Sequence, residues 1–175
     1  MKNRQRILDA AEAVFAAEGL SVPVDVVAER AGVGVGTLYR HFPKRIDVVE
    51  AVYRTDVDDL VLAAEKAVAD LEPWPALVSW LDAFVRYARG KRTFLTELHE
   101  AFEKNPQLRV RARERIDEAA SIVMDRARAA GVARDDIDGA DLMLLVGPIC
   151  TNSQLSEEQG RRLLATVLAG VRRTA

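Results

Sequence analysis

A glycine-containing turn between two short apolar segments, at residues 31–36, constrains this chain more than any other feature. Before the turn, apolar residues repeat at the i, i+3, i+4, i+7 spacing of one helix face: Val24, Val27, Ala28 and Ala31. Gly32 then predicts a helix end, because glycine adopts the left-handed backbone conformation at little cost. A second short helix is expected to begin about three residues later. The pattern is typical of a helix-turn-helix at about residues 23–42.

The second of these helices has an apolar side and a polar side. We expect Val35, Leu38 and Phe42 to face the core. The other side chains would then point away from the core: Gly36, Thr37, Tyr39, Arg40 and His41. Small, hydroxyl, aromatic and cationic groups on an exposed helix suit a DNA groove, although Tyr39 and His41 alone also fit ordinary surface positions. Of these residues, Arg40 is the one expected to contact base edges, since its guanidinium group can pair with guanine O6 and N7.

Composition is that of a water-soluble globular chain. The 175 residues are 49% hydrophobic and 30% charged, and no apolar run reaches the length of about 18 residues that spans a bilayer. The beginning of the chain is polar and charged, so we expect no signal peptide and no membrane partner. A single cysteine, Cys150, excludes an internal disulfide and fits a buried thiol in the reducing cytoplasm.

Charge is distributed unevenly along the chain. The formal net charge is −2, which does not favour a general nucleic-acid binder. Residues 1–45, however, carry seven cationic against five acidic side chains, and the remainder is correspondingly acidic. A mildly basic first segment on an acidic body would confine DNA contact to one end.

The rest of the chain also has helical periodicity, and no segment alternates as a strand would. Glycine and proline divide it into segments, the clearest break being residues 72–75. Predicted helices run at about residues 3–18, 45–70, 75–89, 91–104, 106–130, 138–150 and 156–173. Asp138 is expected to cap its helix, and Asp141, three residues on, is expected to interact favourably with the positive end of the helix. The fold class is therefore all-α, a three-helix helix-turn-helix head followed by a helical body.

These motifs resemble the tetracycline-repressor (TetR) family of bacterial transcription regulators over about residues 3–53. The resemblance is carried by residues 7–11, Val14-Phe15, Gly19, Val27-Ala28 and Ala31-Gly32-Val33, and above all by the string Gly36-Thr37-Leu38-Tyr39-Arg40-His41-Phe42-Pro43. Two residues depart from the family pattern. Gly34 stands where a hydroxyl residue usually opens the second helix, and Pro23 stands where the preceding helix often opens with threonine.

The resemblance implies a DNA-binding domain at residues 1–48 and a ligand-binding and dimerisation domain at residues 49–175. It implies a ligand-responsive homodimeric repressor that binds a palindromic operator, with the helices at about 106–130 and 156–173 forming the interface between subunits. Contacts to DNA would come from Val35, Gly36, Thr37, Tyr39, Arg40 and His41. The cation that opens the next helix would bind a phosphate. Arg45 aligns with the family's lysine, and Lys44 is a second candidate. Lys2 and Arg4 either reach phosphates or form a disordered tail.

The resemblance also implies a cavity in the body for a small apolar or amphipathic ligand. Its predicted lining combines aromatic, thioether and polar-tipped side chains: Trp80, Phe84, Tyr87, Phe94, Leu98, His99, Phe102, Met124 and Met143. Plain core packing remains the alternative for each of them.

Catalytic and metal chemistry find no support in the sequence. His99 has neighbouring carboxylates but no second histidine at metal-ligand spacing, and the aspartates near residue 138 lack the spacing of a calcium loop. Cys150 has no evident base, and no phosphate loop or nucleophile elbow occurs, so we expect no cofactor and no enzyme activity. The alternatives left open are an activator, a regulator without a small ligand, a helical small-molecule-binding protein or enzyme without DNA function, and a protein-interaction module.

Overall fold

The structure, a computed structural model, describes residues 2–19, 22–92 and 95–173, with the backbone alone given at residues 91, 92, 95–97 and 100. These residues form helices joined by short turns, without a strand in the parts described. The all-α prediction is therefore confirmed. The helices are α1 (Lys2–Glu18), α2 (Val24–Arg30), α3 (Val35–His41), α4 (Arg45–Asp70), α5 (Pro73–Arg92), α6 (Leu95–Lys104), α7 (Pro106–Ala129), α8 (Gly139–Thr151) and α9 (Glu157–Val171).

The chain divides into two compact units. The first comprises Met1–Asp56 and Thr93–Val110, and the second comprises Val57–Arg92 and Arg111–Ala175. Helix α6 therefore belongs with the N-terminal helices, and the predicted division between residues 48 and 49 falls inside α4. The assignment of separate functions to the two sides of that division stays a prediction.

The core of the first unit is formed by α1, α2, α3 and the start of α4. Its most deeply buried side chains are Ile7, Ala11, Val14, Val27, Ala28, Leu38 and Val48. The predicted turn is confirmed, since Gly32 has a φ of +62° directly after α2. A side chain at this position would be strained by that φ, and its Cβ would also lie 2.7 Å from the Arg6 guanidinium group.

One predicted core residue of α3 is exposed. Leu38 is fully buried and Phe42 nearly so, whereas Val35 is 39% exposed. The expectation that Val35 faces the core is wrong, because Val33, in the turn before α3, packs against that core. Val35 is the first residue of α3 and remains on its accessible side.

The second unit is built from the rest of α4 together with α5, α7 from Arg111 onward, α8 and α9. Trp80 is fully buried, and its indole Nε1–H donates to the Leu60 carbonyl at 3.0 Å. The capping prediction for α8 is confirmed, since Asp138 and Asp141 form a reciprocal capping box. Beyond α9, Arg172 forms an isolated antiparallel bridge with Ala133, and its guanidinium group lies 5.1 Å from the Trp74 ring centroid.

Several predicted helix boundaries are corrected. Helix α1 already includes Lys2 and Arg4, and α6 begins at Leu95 rather than at residue 91. Helix α5 begins at Pro73, because proline is tolerated in a first turn where N–H groups lack helical partners. It continues through Gly90, which was expected to end it. Helix α8 contains Pro148 in its last turn. The carbonyl that loses a helical donor there belongs to Leu144.

Candidate nucleic-acid interface

Helix α3 presents a continuous accessible surface. Tyr39 is 44% exposed, Thr37 is half-buried, and Gly36, Arg40 and His41 are exposed. On the opposite side, the buried Leu38 and Phe42 join α3 to the core. All six residues predicted to contact DNA from this helix, Val35 included, therefore lie where a duplex could reach them.

Two arginines of α1 contact the segments at either end of α3. The guanidinium group of Arg4 lies 5.3 Å from the centroid of the Phe42 ring, a cation–π arrangement. Arg6 donates through Nη2 to the Gly32 carbonyl at 3.2 Å. Neither contact was predicted, because only the tertiary fold brings α1 beside these segments. Arg4 is therefore part of α1 and contacts Phe42, and it does not form the disordered tail that was one of the two alternatives.

The start of α4 lies directly after α3 and carries the second group of predicted contacts. Lys44 is exposed, and its backbone N–H donates to Asp47 Oδ2 at 2.8 Å. This bond closes the first turn of α4 and leaves the Lys44 ammonium group accessible. A helix N-terminus with accessible N–H groups and a nearby cation favours a phosphate.

Arg45 is placed differently from Lys44. Its guanidinium group is part-buried and donates through Nη1 to the carbonyl of Val22, in the segment that precedes α2. Its Nη2 is buried and has no hydrogen-bond acceptor among the residues described. The side chain thus connects α4 to the start of the helix-turn-helix, and a phosphate contact from Arg45 stays a prediction.

The comparisons with known proteins agree with this geometry. Residues 7–52 match the family model described as bacterial regulatory proteins of the tetR family, and residues 72–173 match the SbtR-like transcriptional regulator C-terminal domain. The crystal structure of the TetR transcriptional regulator SCO0520 from Streptomyces coelicolor is 37% identical, with a TM-score of 0.84 over 98% of this chain and 99% of that chain.

The chain belongs to the TetR family of transcriptional regulators. A second solved TetR regulator, from Mycobacterium vanbaalenii, is 32% identical with a TM-score of 0.76, covering 98% of this chain and 96% of that one. Among curated proteins, the HTH-type regulator SrpR of Pseudomonas putida is 38% identical over 84 residues, 47% of this chain and 39% of SrpR. TtgW of Pseudomonas putida is 37% identical over 84 residues, which cover 47% of this chain and 63% of TtgW. These matches thus span less than two thirds of either curated relative.

The predicted ligand-binding residues of this TetR-family chain are divided between the two units. Trp80, Phe84, Met124 and Met143 are buried in the second unit, where the Trp80 and Phe84 rings stack at 6.0 Å. Tyr87 follows them, half-buried, with its ring 6.1 Å from Phe84. The remaining predicted residues that the structure describes, Leu98, His99 and Phe102, belong to the first unit, and Phe94 lies outside the described residues.

The individual environments of these side chains give several of them a structural role. Trp80 holds α5 to α4 through the Leu60 carbonyl, and Phe102 packs edge-on against Tyr53 at 5.4 Å. His99 is exposed, with its Nε2 3.4 Å from Glu103 Oε1. A surface groove of about 350 Å³ on α9 has none of the predicted ligand residues in its lining. The ligand set therefore stays a prediction.

The surroundings of Cys150 argue for a structural role. Burial raises the pKa of the Cys150 thiol to about 11, despite the opposing effect of Arg89. A thiol with that pKa is almost wholly protonated at neutral pH and is a poor nucleophile.

Within the described residues, no group of three or more His, Cys, Asp or Glu side chains is arranged to hold a metal ion. None of the helices described there is long and apolar enough to cross a membrane.

Proposed function

We propose that this chain is a homodimeric, ligand-responsive repressor that binds a palindromic DNA operator through α3 and the start of α4. The observation that carries the proposal is the division of α3 into a buried side, Leu38 and Phe42, and an accessible side that bears Thr37, Tyr39, Arg40 and His41. A rigidly seated helix with hydroxyl, aromatic and cationic groups outward is suited to the major groove.

The contacts we assign to DNA follow from position and chemistry. Thr37, Tyr39 and His41 would bind phosphates or base edges, with Val35 and Gly36 permitting close approach at the start of α3. Arg40 would pair with a guanine. Lys44 would bind the phosphate at the start of α4, and Arg45 would join it only by leaving the Val22 carbonyl.

Dimerisation supplies the second half of the recognition surface. One helix-turn-helix contacts only a few base pairs, whereas a two-fold dimer contacts two half-sites about 34–36 Å apart. The apolar residues that repeat along one side of α7 are buried within the chain: Leu108, Ala112, Ile116, Ala119, Val123 and Ala127. Three large apolar side chains remain exposed on α8 and α9, namely Leu144 at 65%, Leu145 at 46% and Leu163 at 42%, whereas α7 has one, Val110 at 47%, in its first turns, which belong to the first unit. We therefore assign the subunit interface to α8 and α9 rather than to α7.

Ligand control would act through the population of DNA-binding dimers. A small apolar or amphipathic molecule would occupy the helical body near the aromatic row of Trp80, Phe84 and Tyr87. It would lower operator affinity only by binding the non-DNA-binding conformation more tightly, and near-complete switching requires a difference of about 5.5 kcal/mol. The site of action would be the bacterial cytoplasm, and we assign the chain no catalytic role.

Selection of duplexes from a random pool by the full-length protein tests this proposal. The expected result is a palindromic site whose half-site centres lie about one helical turn, or a multiple of it, apart. Binding should weaken steeply with salt, as phosphate contacts require. Failure to enrich any duplex at both low and moderate salt would overturn the proposal in favour of a small-molecule-binding protein or enzyme without DNA function.

A further inference from the structure

The last turn of α6 and the residue that follows it contact the first turns of α4 at three places. The Phe102 ring packs against Tyr53 at 5.4 Å. Asn105 Nδ2 donates to Glu50 Oε2 at 3.4 Å. Lys104 Nζ lies 3.6 Å from Asp47 Oδ1. All these residues belong to the first compact unit, although Lys104 lies in the segment matched by the C-terminal domain model and Asp47 in that matched by the N-terminal model.

Asp47 has two opposing effects at the start of α4. Its Oδ2 accepts the Lys44 backbone N–H at 2.8 Å and so stabilises the first helical turn. The same carboxylate places a negative charge three residues from Lys44. A DNA phosphate approaching that helix end would therefore be repelled by Asp47 while it is attracted by Lys44 and the helix N-terminus.

Lys104 offsets the repulsion between Asp47 and a phosphate without disturbing the bond by which Asp47 caps α4. Its ammonium group faces the Asp47 oxygen that the capping bond does not use. The two side chains are 41% and 32% exposed, so solvent screens the pair and its direct contribution to stability is small. A partner that adds little stability can still matter for an anion that binds nearby, because it cancels a charge within the Debye length of about 10 Å.

We infer that Lys104 is a positioning residue for DNA binding, which acts by neutralising Asp47 beside the phosphate-binding start of α4. The inference rests on the proposed function, since it requires that a phosphate binds there. Lys104 itself does not contact DNA in this account. It makes a residue of the C-terminal part of the chain a determinant of operator affinity.

A double-mutant cycle tests the inference with the full-length protein and the duplex that the wild-type protein selects from a random pool. We expect K104Q to weaken binding about fivefold at low salt, and the loss to shrink as salt screens the charge. K104R should bind nearly as the wild type does. D47N keeps an oxygen that can accept the Lys44 N–H but removes the charge that Lys104 neutralises. In this background K104Q should no longer weaken binding, so that D47N and D47N/K104Q bind equally well.

Two readouts separate this role from the alternatives. The slope of log affinity against log salt should fall by much less than one in K104Q relative to the wild type, because a charge near the phosphate is lost but no phosphate contact is. R134Q is the matched control: it removes one positive charge from an exposed pair, with Asp136, in the second unit. It should leave operator affinity unchanged, and the thermal midpoint of K104Q should stay within about 1 °C of the wild type.

Several results would overturn the inference. An unchanged affinity for K104Q would do so, as would an equal loss in the D47N background with a salt slope lower by about one, which would make Lys104 a direct phosphate contact. A loss that K104R does not rescue, accompanied by a lower thermal midpoint, would make it a packing residue. A wild-type protein that selects no duplex would overturn the proposed function and this inference together.

Discussion

Gly139 and Ser121 approach each other so closely that no other residue fits at position 139. A Cβ built on Gly139 would lie 2.5 Å from the backbone nitrogen of Ser121 and 2.7 Å from its Cα. Helix α8 therefore begins in direct contact with the backbone of α7. Because these are backbone atoms, a side-chain rotation cannot relieve the overlap.

We predict that G139A lowers the free energy of unfolding by about 2–3 kcal/mol, the usual cost of overpacking a rigid contact. G90A is the matched control, since a Cβ at Gly90 in α5 meets nothing within 4 Å. That substitution should be neutral or stabilise by up to about 1 kcal/mol through helix propensity. Urea unfolding measures both, and equal stability of the two variants would show that α7 and α8 are further apart than described.

The exposed leucine of α8 provides a test of the proposed dimer. L144E places a charge on the most exposed large apolar side chain among the described residues. We expect it to weaken dimerisation about a hundredfold, because an unpaired charge would be buried at the interface. L62E is the control, since Leu62 on α4 is 59% exposed but lies outside the proposed interface. Sedimentation velocity should find L144E monomeric and L62E dimeric, and dimers from both variants would contradict the assignment to α8 and α9.

The buried thiol predicts how stability depends on pH. The folded-state pKa of Cys150, about 11, lies above its ordinary value of 9.0. Between these values the unfolded chain loses the proton first, so the stability contributed by the neutral thiol is present below pH 9 and is lost as pH rises toward 11. The stability difference between the wild type and C150A should therefore narrow over this range in urea unfolding. A difference that stays constant with pH would mean that Cys150 has an ordinary pKa.

Base recognition by Arg40 can be separated from phosphate binding by Lys44. R40A should relax the preference for guanine at one position of the selected half-site, with a loss of about 1–3 kcal/mol for the preferred base. K44A should instead weaken binding to all sequences and reduce the salt slope by about one. Repeating the duplex selection with each variant measures this difference. An unchanged base preference for R40A would show that Arg40 contacts only the backbone of DNA.

Much of the fold follows from local sequence chemistry. The left-handed φ of Gly32, the capping of α8 by Asp138 and the ion pair in which Arg113 Nε donates to the Asp117 carboxylate all depend on residues a few positions apart. Such short-range interactions are visible as spacing in the sequence. The TetR resemblance then supplies the arrangement of α1 to α4.

What the sequence did not predict depends on contacts between distant segments. Val35 has the spacing of a core residue, but Val33 packs against the core from the preceding turn. Arg45 was assigned to a phosphate from its alignment, yet its guanidinium group donates to the Val22 carbonyl. The contact between Lys104 and Asp47 joins segments that periodicity alone cannot place together.

The central claim is that the accessible side of α3 binds DNA, and the affinity of T37A/Y39A for the wild-type selected duplex tests it most directly. Both side chains lie on that side, half-buried or exposed, so their removal should not unfold the head. T151A removes a helical threonine hydroxyl on α8 and serves as the control. We predict that T37A/Y39A binds about a hundredfold more weakly while T151A binds as the wild type does. A natively folded T37A/Y39A protein with wild-type affinity would contradict the account.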